Sequence, residues 1–200
     1  GIAPDFIVVD GTEGGTGAAP TEMTNAVGTP LRDALIFVNN ALIGVGLRDT
    51  IRIIASGKIF SAFHLLRIIA LGADTANSAR GMMFALGCIQ ARSCNTDHCP
   101  TGIATQNASR NKALVVADKA KRVALFHKEM IKNLTELLAV AGLDNLDQLE
   151  PRHINQRVQG TRISNYAELY PCVSDRFLLG PGVIPDSWKR DWEAANAHHW

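Results

Sequence analysis

The sequence lacks a long hydrophobic run and an excess of charge of either sign. No apolar stretch approaches the ~18 residues that would suggest a membrane span, and the N-terminus has no basic signal-peptide start. Twenty basic and nineteen acidic residues leave a net charge of +1, so nothing electrostatic favours nucleic acid or an anionic membrane as the partner. With 46% hydrophobic and 20% charged residues, the composition predicts a globular, cytoplasmic protein rather than a disordered chain.

Cysteine is too scarce for a disulfide scaffold, yet three of the four cysteines fall within twelve residues: Cys88, Cys94 and Cys99. Thiolates this close in sequence repel one another unless a metal neutralises them. Three sulfurs fit a three-iron cluster, or a four-iron cluster with one external ligand. A zinc site completed by His98 is a rival, although neighbouring ligands such as His98 and Cys99 rarely point at one ion. The remaining alternative is three reduced structural thiols, with Cys88 on an apolar helix.

Short β-branched runs alternate with glycine-rich loops and helical periodicity in the first half of the chain. The patterns predict strands over 4–11, 50–57 and, more weakly, 74–79, and helices over 30–45, 61–71 and 80–89. The first helix is expected to take Thr29 as its N-cap and Pro30 as its first residue, and the second to end at Gly72. Repeated βα units with glycine loops after the strands predict a parallel α/β architecture.

The second half is predicted to be mainly helical and then irregular. We expect a long amphipathic helix over 111–142, a short helix and turn over 143–160, and an irregular C-terminal arm over 161–200. The long helix is expected to bury one face and to expose its lysines to solvent. The apolar positions of that face are Val115, Ala117, Ala120, Ala124, Ile131, Leu134 and Leu138. The chain is thus predicted to consist of three parts: 1–110 with the cysteine loop 88–99, a helical extension 111–160, and the arm 161–200.

Three segments together resemble the FMN-binding synthase domain of glutamate synthases, most closely the stand-alone bacterial FMN-binding proteins of that type. They are DGTEGGTGAAP after a strand, IRIIASG, and NSARGMMFALGCIQARSCNTDHCPTGIATQ. The resemblance covers about residues 4–106 and implies a (β/α)8 TIM barrel. Because such a barrel takes about 250 residues and only three βα units are visible, we expect the C-terminal part of a barrel, with its N-terminal remainder as a partner. The absent initiator Met agrees with this expectation.

The resemblance also implies where cofactors bind. The FMN phosphate would lie at the loops after the last two barrel strands, where backbone N–H groups converge. Arg80 would contribute its backbone N–H, since the family residue there is not usually basic. The cofactor-binding residues carried over are Gly14, Gly15, Ser56, Gly57, Ala79 and Arg80, and the ligands of a [3Fe–4S] cluster are Cys88, Cys94 and Cys99.

By the same resemblance, the function is that of an oxidoreductase that aminates a 2-oxo acid reductively. The substrates would be 2-oxoglutarate and ammonia, with electrons from ferredoxin or a reductase subunit, passed through the cluster to the flavin. Thr12 and Glu13 stand where the family carries a His-Asp pair, and Val8 stands where it carries a polar residue. Glu13 is thus the catalytic candidate, whereas Val8 favours an alternative: an electron-transfer or redox-sensing module, or a non-catalytic fragment. Other FMN barrels do not explain the three cysteines.

Overall fold

A computed structural model describes residues 3–15, 17–180 and 184–196. The strands are β1 (Phe6–Asp10), β2 (Arg52–Ser56), β3 (Thr75–Asn77), β4 (Asn155–Gln159) and β5 (Arg162–Asn165). The helices are α1 (Thr21–Ala26), α2 (Leu31–Gly44), α3 (Ala62–Ala70), α4 (Ala79–Leu86), α5 (Ala108–Asn111), α6 (Val116–Val140), α7 (Tyr166–Leu169) and α8 (Asp186–Ala194). Short 3-10 turns span Leu146–Gln148, Pro151–His153 and Phe177–Leu179.

The first three strands form a parallel sheet in the order β1-β2-β3. Phe6 pairs with Arg52 across β1 and β2, and Ser56 pairs with Asn77 across β2 and β3. Each strand is followed by helix, so the predicted α/β class and its three βα units are confirmed. Because parallel strands that are neighbours in sequence lie side by side here, the loops after all three strands meet at one edge of the sheet. The complete barrel stays a prediction.

Helices α2 and α3 cover one face of this sheet and enclose the core. Leu35, Ile53 and Ala55 are fully buried there. On the opposite face Phe6 is 54% exposed and Val8 is 46% exposed. Within the described ranges, β1 and β3 each pair with β2 alone. The sheet therefore has one covered face, one open face and two free edges.

The start of α2 differs from its prediction. The N-cap position is Pro30 and no side chain caps it, so the expected Thr29 cap is wrong. A side chain from outside the helix caps the first turn instead: Oε2 of Glu13 accepts a hydrogen bond of 2.9 Å from the Leu31 N–H. A carboxylate at the positive end of a helix is favourable, which ties the glycine loop to α2.

The long helix α6 buries fewer residues than its periodicity predicts. It packs on α3 and α4, and its buried side chains are Met130, Leu134 and Leu138. In the first half of the predicted face, Val115 is 58% exposed and the alanines are also exposed. That half of the predicted apolar face is wrong, because only the C-terminal half of the helix reaches the core.

The predicted helix-and-turn over 143–160 and the irregular arm over 161–200 are corrected in part. Residues 155–165 form an antiparallel hairpin of β4 and β5, turning at Gly160 with φ of +54°. Helices α7 and α8 follow. Ile154 and Tyr166 are each 3% exposed and belong to the core, so these flanks of the hairpin pack on the α/β part. The sequence did not predict these elements because β4, β5 and α7 are too short to show a hydrophobic period.

Candidate cofactor-binding site

The loops after β1, β2 and β3 form a small cavity at the carboxyl edge of the parallel sheet. All six residues predicted to bind the cofactor line it: Gly14, Gly15, Ser56, Gly57, Ala79 and Arg80. The cavity has a volume of about 60 Å³ and is also lined by Lys58 and Asn77. We call it the phosphate pocket.

Glycine is required at two points of this pocket. A Cβ at Gly14 would lie 2.5 Å from Asp10 Oδ1 and 3.0 Å from the Gly11 carbonyl oxygen. Gly57 has φ of +147°, a conformation that side-chain-bearing residues rarely adopt. The absence of side chains here keeps the backbone of two loops close to whatever fills the pocket.

The N-terminus of α4 presents backbone N–H groups without a side-chain cap. Ser78 occupies the N-cap position, but its hydroxyl donates to the Ile59 carbonyl oxygen at 2.7 Å instead. Ala79 and Arg80, the first two residues of the helix, line the pocket. An uncapped helix N-terminus with adjacent cations is a favourable place for a phosphate group. The residues present therefore fit the phosphate end of FMN.

Sequence reasoning missed two lining residues, Lys58 and Asn77. Lys58 follows Gly57 directly and has φ of +48°, a left-handed conformation uncommon for lysine. Asn77 is the last residue of β3. The signal was available in both cases, because each is a polar residue at the carboxyl end of a parallel strand, within two residues of one already selected.

Glu13, the predicted catalytic residue, does not line the phosphate pocket. Its carboxylate is bound to the Leu31 N–H, and it borders a smaller cavity of about 30 Å³ beside His64 and Arg67. Burial, together with the charge of Arg67, lowers the pKa of His64. The geometry gives Glu13 a positioning contact at the start of α2.

The cysteine loop begins immediately after α4. This helix ends at Leu86 with Gly87 at φ of +110°, earlier than the predicted 89, so Cys88 is not on a helix. Cys88 is half-buried, Cys94 exposed and Cys99 buried, and all are free thiols. The loop turns tightly, with positive φ at Gln90, Arg92 and Asp97.

Cys99 has the environment of a metal-binding thiolate. Hydrogen bonds from the Thr101 hydroxyl and the Ala104 backbone N–H lower its pKa to about 7. A thiol in this state is deprotonated far more readily than an ordinary cysteine, and the thiolate is the form that binds metal. The chemistry of Cys99 therefore suits a thiolate ligand.

A single-ion site is not assembled in the same loop. Across the described parts of the chain, no three His, Cys, Asp or Glu side chains gather closely enough to hold one metal ion. His98 lies with Nδ1 2.6 Å from the Thr96 carbonyl oxygen, facing its own loop. The zinc alternative gains no support from this geometry. The cluster ligands Cys88, Cys94 and Cys99 stay a prediction.

The cysteine loop is anchored to the glycine loop. The guanidinium of Arg92 donates to Thr21 Oγ1 at 3.0 Å and to the Ala19 carbonyl oxygen at 2.8 Å. A Cβ at Gly17 would lie 3.5 Å from Cys94 Sγ. These contacts bring Cys94, one of the predicted cluster ligands, next to the glycine loop.

Parallel βα units whose strand-end loops build a glycine-lined, cationic pocket define an α/β protein with a candidate anion-binding site at its strand ends. Comparison with protein families makes this more specific. Residues 2–144 match the family model described as a conserved region in glutamate synthase. The chain belongs to this family.

Individual relatives agree. The chain is 41% identical over 169 residues to the glutamate synthase large subunit-like protein YerD of Bacillus subtilis, covering 84% of this chain and 32% of that protein. It is 39% identical over 160 residues to the archaeal glutamate synthase [NADPH] of Methanocaldococcus jannaschii, covering 80% and 31%. The chain thus spans about a third of the length of these relatives. No helix in the described ranges is long and apolar enough to cross a membrane.

Proposed function

We propose that this chain is the FMN-phosphate and iron–sulfur part of a glutamate synthase-type oxidoreductase that aminates a 2-oxo acid reductively. One observation carries the proposal: six residues chosen from sequence meet in one pocket at the uncapped N-terminus of α4. When bound, the flavin supplies hydride transfer to an imine. The preferred substrates are 2-oxoglutarate and ammonia.

In this proposal the chain's own residues bind and orient the phosphate end. The backbone of Gly14, Gly15 and Gly57 gives close approach, and the N–H groups at the start of α4 donate to phosphate oxygens. Lys58 and Arg80 balance the phosphate charge, since neither has a carboxylate partner within 4.0 Å among the described residues.

The proposed ligands of a [3Fe–4S] cluster are Cys88, Cys94 and Cys99. Arg92 positions their loop against the glycine loop through its two hydrogen bonds. A ferredoxin or reductase subunit would supply electrons, and the N-terminal remainder of a (β/α)8 barrel would cover the open sheet face. A cytoplasmic location belongs to the proposal, because a reducing compartment preserves free thiols.

The test compares FMN with riboflavin, which lacks the phosphate. Titration of protein into each flavin, followed by fluorescence, is expected to show tighter binding of FMN by at least about tenfold, the effect of one good charged contact. Arg80→Gln should reduce this preference, whereas Arg157→Gln, at an exposed position on β4, should leave it unchanged. Equal affinity for both flavins contradicts the proposal.

A specific observation favours a second function, electron transfer without amination. Glu13 is engaged by the Leu31 N–H, and in the part of the chain that the structure describes no carboxylate lines the phosphate pocket. The two functions separate by product analysis: glutamate formed from 2-oxoglutarate, ammonia and reduced ferredoxin supports amination. Reduction of flavin and cluster without glutamate supports the electron-transfer module.

A further inference from the structure

A second cavity adjoins the phosphate pocket on the side of the cysteine loop. It has a volume of about 270 Å³ and is lined by residues of α1, the glycine loop, the loop after β2, α4 and the cysteine loop. Three of its lining residues are cations, Lys58, Arg80 and Arg92, and none of the described residues that line it is a carboxylate. We call it the basic pocket.

The cations of the basic pocket are not neutralised by neighbours. Among the residues that the structure describes, none of the three has a carboxylate oxygen within 4.0 Å. Arg92 is held in place by neutral oxygens only, those of Thr21 and Ala19. Gathering like charges without counter-charges is unfavourable, and a bound anion removes this cost.

The pocket also has the right donors for a small oxyanion. Thr21 and Arg92 line the cavity together, and a guanidinium presents paired N–H groups that match a carboxylate or phosphate. A Cβ at Gly17 would lie 3.6 Å from the Arg80 guanidinium, so the glycine loop and this arginine lie side by side at the cavity.

Lys58 and Arg80 line both cavities. Of these two cavities, Arg92 lines only the basic pocket and Asn77 lines only the phosphate pocket. We propose that the basic pocket is a second anion site, which binds a small carboxylate or phosphate while the phosphate pocket holds its own ligand. This inference rests on the lining residues and goes beyond the proposed function.

The experiment titrates inorganic phosphate and glutarate separately into protein saturated with FMN, by isothermal titration calorimetry. We expect saturable binding of at least one probe, and the tighter probe identifies the preferred chemistry. Arg92→Gln should weaken binding of the probe about tenfold, the effect of losing one charged contact, measured on protein kept saturated with FMN. Arg92→Lys should recover part of the loss, and Arg157→Gln should have no effect.

Three results would overturn the inference: no saturable binding of either probe, binding that Arg92→Gln does not alter, or full competition between FMN and the probe. The last result would mean that the two cavities act as one site. If FMN itself does not bind, the proposed function fails, and the same titrations on the flavin-free protein still test the basic pocket. There, Asn77→Ala should leave the Arg92-dependent binding intact.

Discussion

At the scale of single residues, Asp74 connects segments that are distant along the chain. Its carboxylate accepts hydrogen bonds from the Ile53 N–H at 2.7 Å, from Arg48 at 2.9 Å and from Arg52 at 3.1 Å. Arg48 also donates to the Asn39 side chain. Burial opposes ionisation, but the Ile53 N–H and the two arginines together lower the pKa of Asp74.

Asp74→Asn should therefore destabilise the fold by about 1 kcal/mol at pH 7, as expected for charged hydrogen bonds near the surface. Because the folded-state pKa is lowered, this stability is present above the unfolded-state pKa, ordinarily 3.8. It is lost as pH falls through the folded-state pKa. Urea unfolding at several pH values measures this, with Asp49→Asn, an exposed carboxylate, as the control. A difference between wild type and Asp74→Asn that persists at the acidic end contradicts the prediction.

Gly102 fixes the end of the cysteine loop. It has φ of +77°, and a Cβ there would overlap the Arg110 backbone carbonyl. Gly142 has nearly the same conformation, φ of +74°, with nothing within 4 Å of a Cβ. Substitutions at the two glycines can therefore be compared, because both strain the backbone but only the one at Gly102 also causes steric overlap.

Gly102→Ala is expected to cost more stability than Gly142→Ala, which should cost about 1 kcal/mol from the left-handed backbone alone. Gly102→Ala should also lower the iron content of protein reconstituted with iron and sulfide, because the loop carrying the cysteines shifts. Thermal unfolding and iron analysis give the two readouts. Equal effects of the two substitutions on both readouts would show that the Arg110 contact is unimportant.

At the scale of elements, helix α6 reaches the buried core through its C-terminal half. Leu134 is 5% exposed, whereas Leu125 on the same helix is 50% exposed. Leu134→Ala should destabilise by about 2–4 kcal/mol through lost burial and a cavity, and Leu125→Ala by under about 1 kcal/mol. Chemical denaturation of both variants checks this, and similar losses would show that the helix packs along its whole length.

The sequence predicts the βα units well because each strand and helix is long enough to show its own periodicity. Buried residues alternate along β2, as at Ile53, and recur at helical spacing along α2, as at Leu35. Both patterns face one shared core. Periodicity fails in α6 because it reports amphipathicity, not which part of a helix finds a partner. It fails at the β4–β5 hairpin because elements of five and four residues are too short to register a period.

The candidate site also contains residues that the sequence predicts and residues that it does not. A glycine-rich loop after a strand indicates close approach to a ligand, so the loop that contains Gly14 is predictable from its residues, whereas Gly57 was selected through the family resemblance. The role of Glu13 is not predictable, because a carboxylate in a loop is equally suited to chemistry and to a helix N-terminus. Only the position of α2, set by tertiary packing, brings the Leu31 N–H to it.

At the scale of the whole molecule, the sheet is open on one side. Phe6 and Val8 expose apolar surface on that face, and the outer edges of β1 and β3 have no strand partner among the described residues. Open edges beside apolar side chains favour association with another chain. In the longer relatives, the additional length provides material for such a cover.

The 200-residue chain on its own should therefore self-associate as concentration rises. Replacing Phe6 and Val8 together with serine should reduce this association, since it removes the apolar surface of the open face. Val140→Ser, at a position 88% exposed at the end of α6, serves as the control and should change nothing. Sedimentation velocity over a concentration series measures it, and a monomeric wild-type chain at all concentrations would contradict the prediction.

The phosphate pocket has a thermodynamic consequence for the molecule that contains it. Its lining comes from the ends of all three parallel strands, so one ligand bridges three successive βα units. A ligand that binds only the folded chain adds stability by mass action, about 2.7 kcal/mol at a hundred times its dissociation constant. Ligand affinity and folding are then linked, and a substitution far from the pocket that loosens the sheet will be measured first as weaker binding.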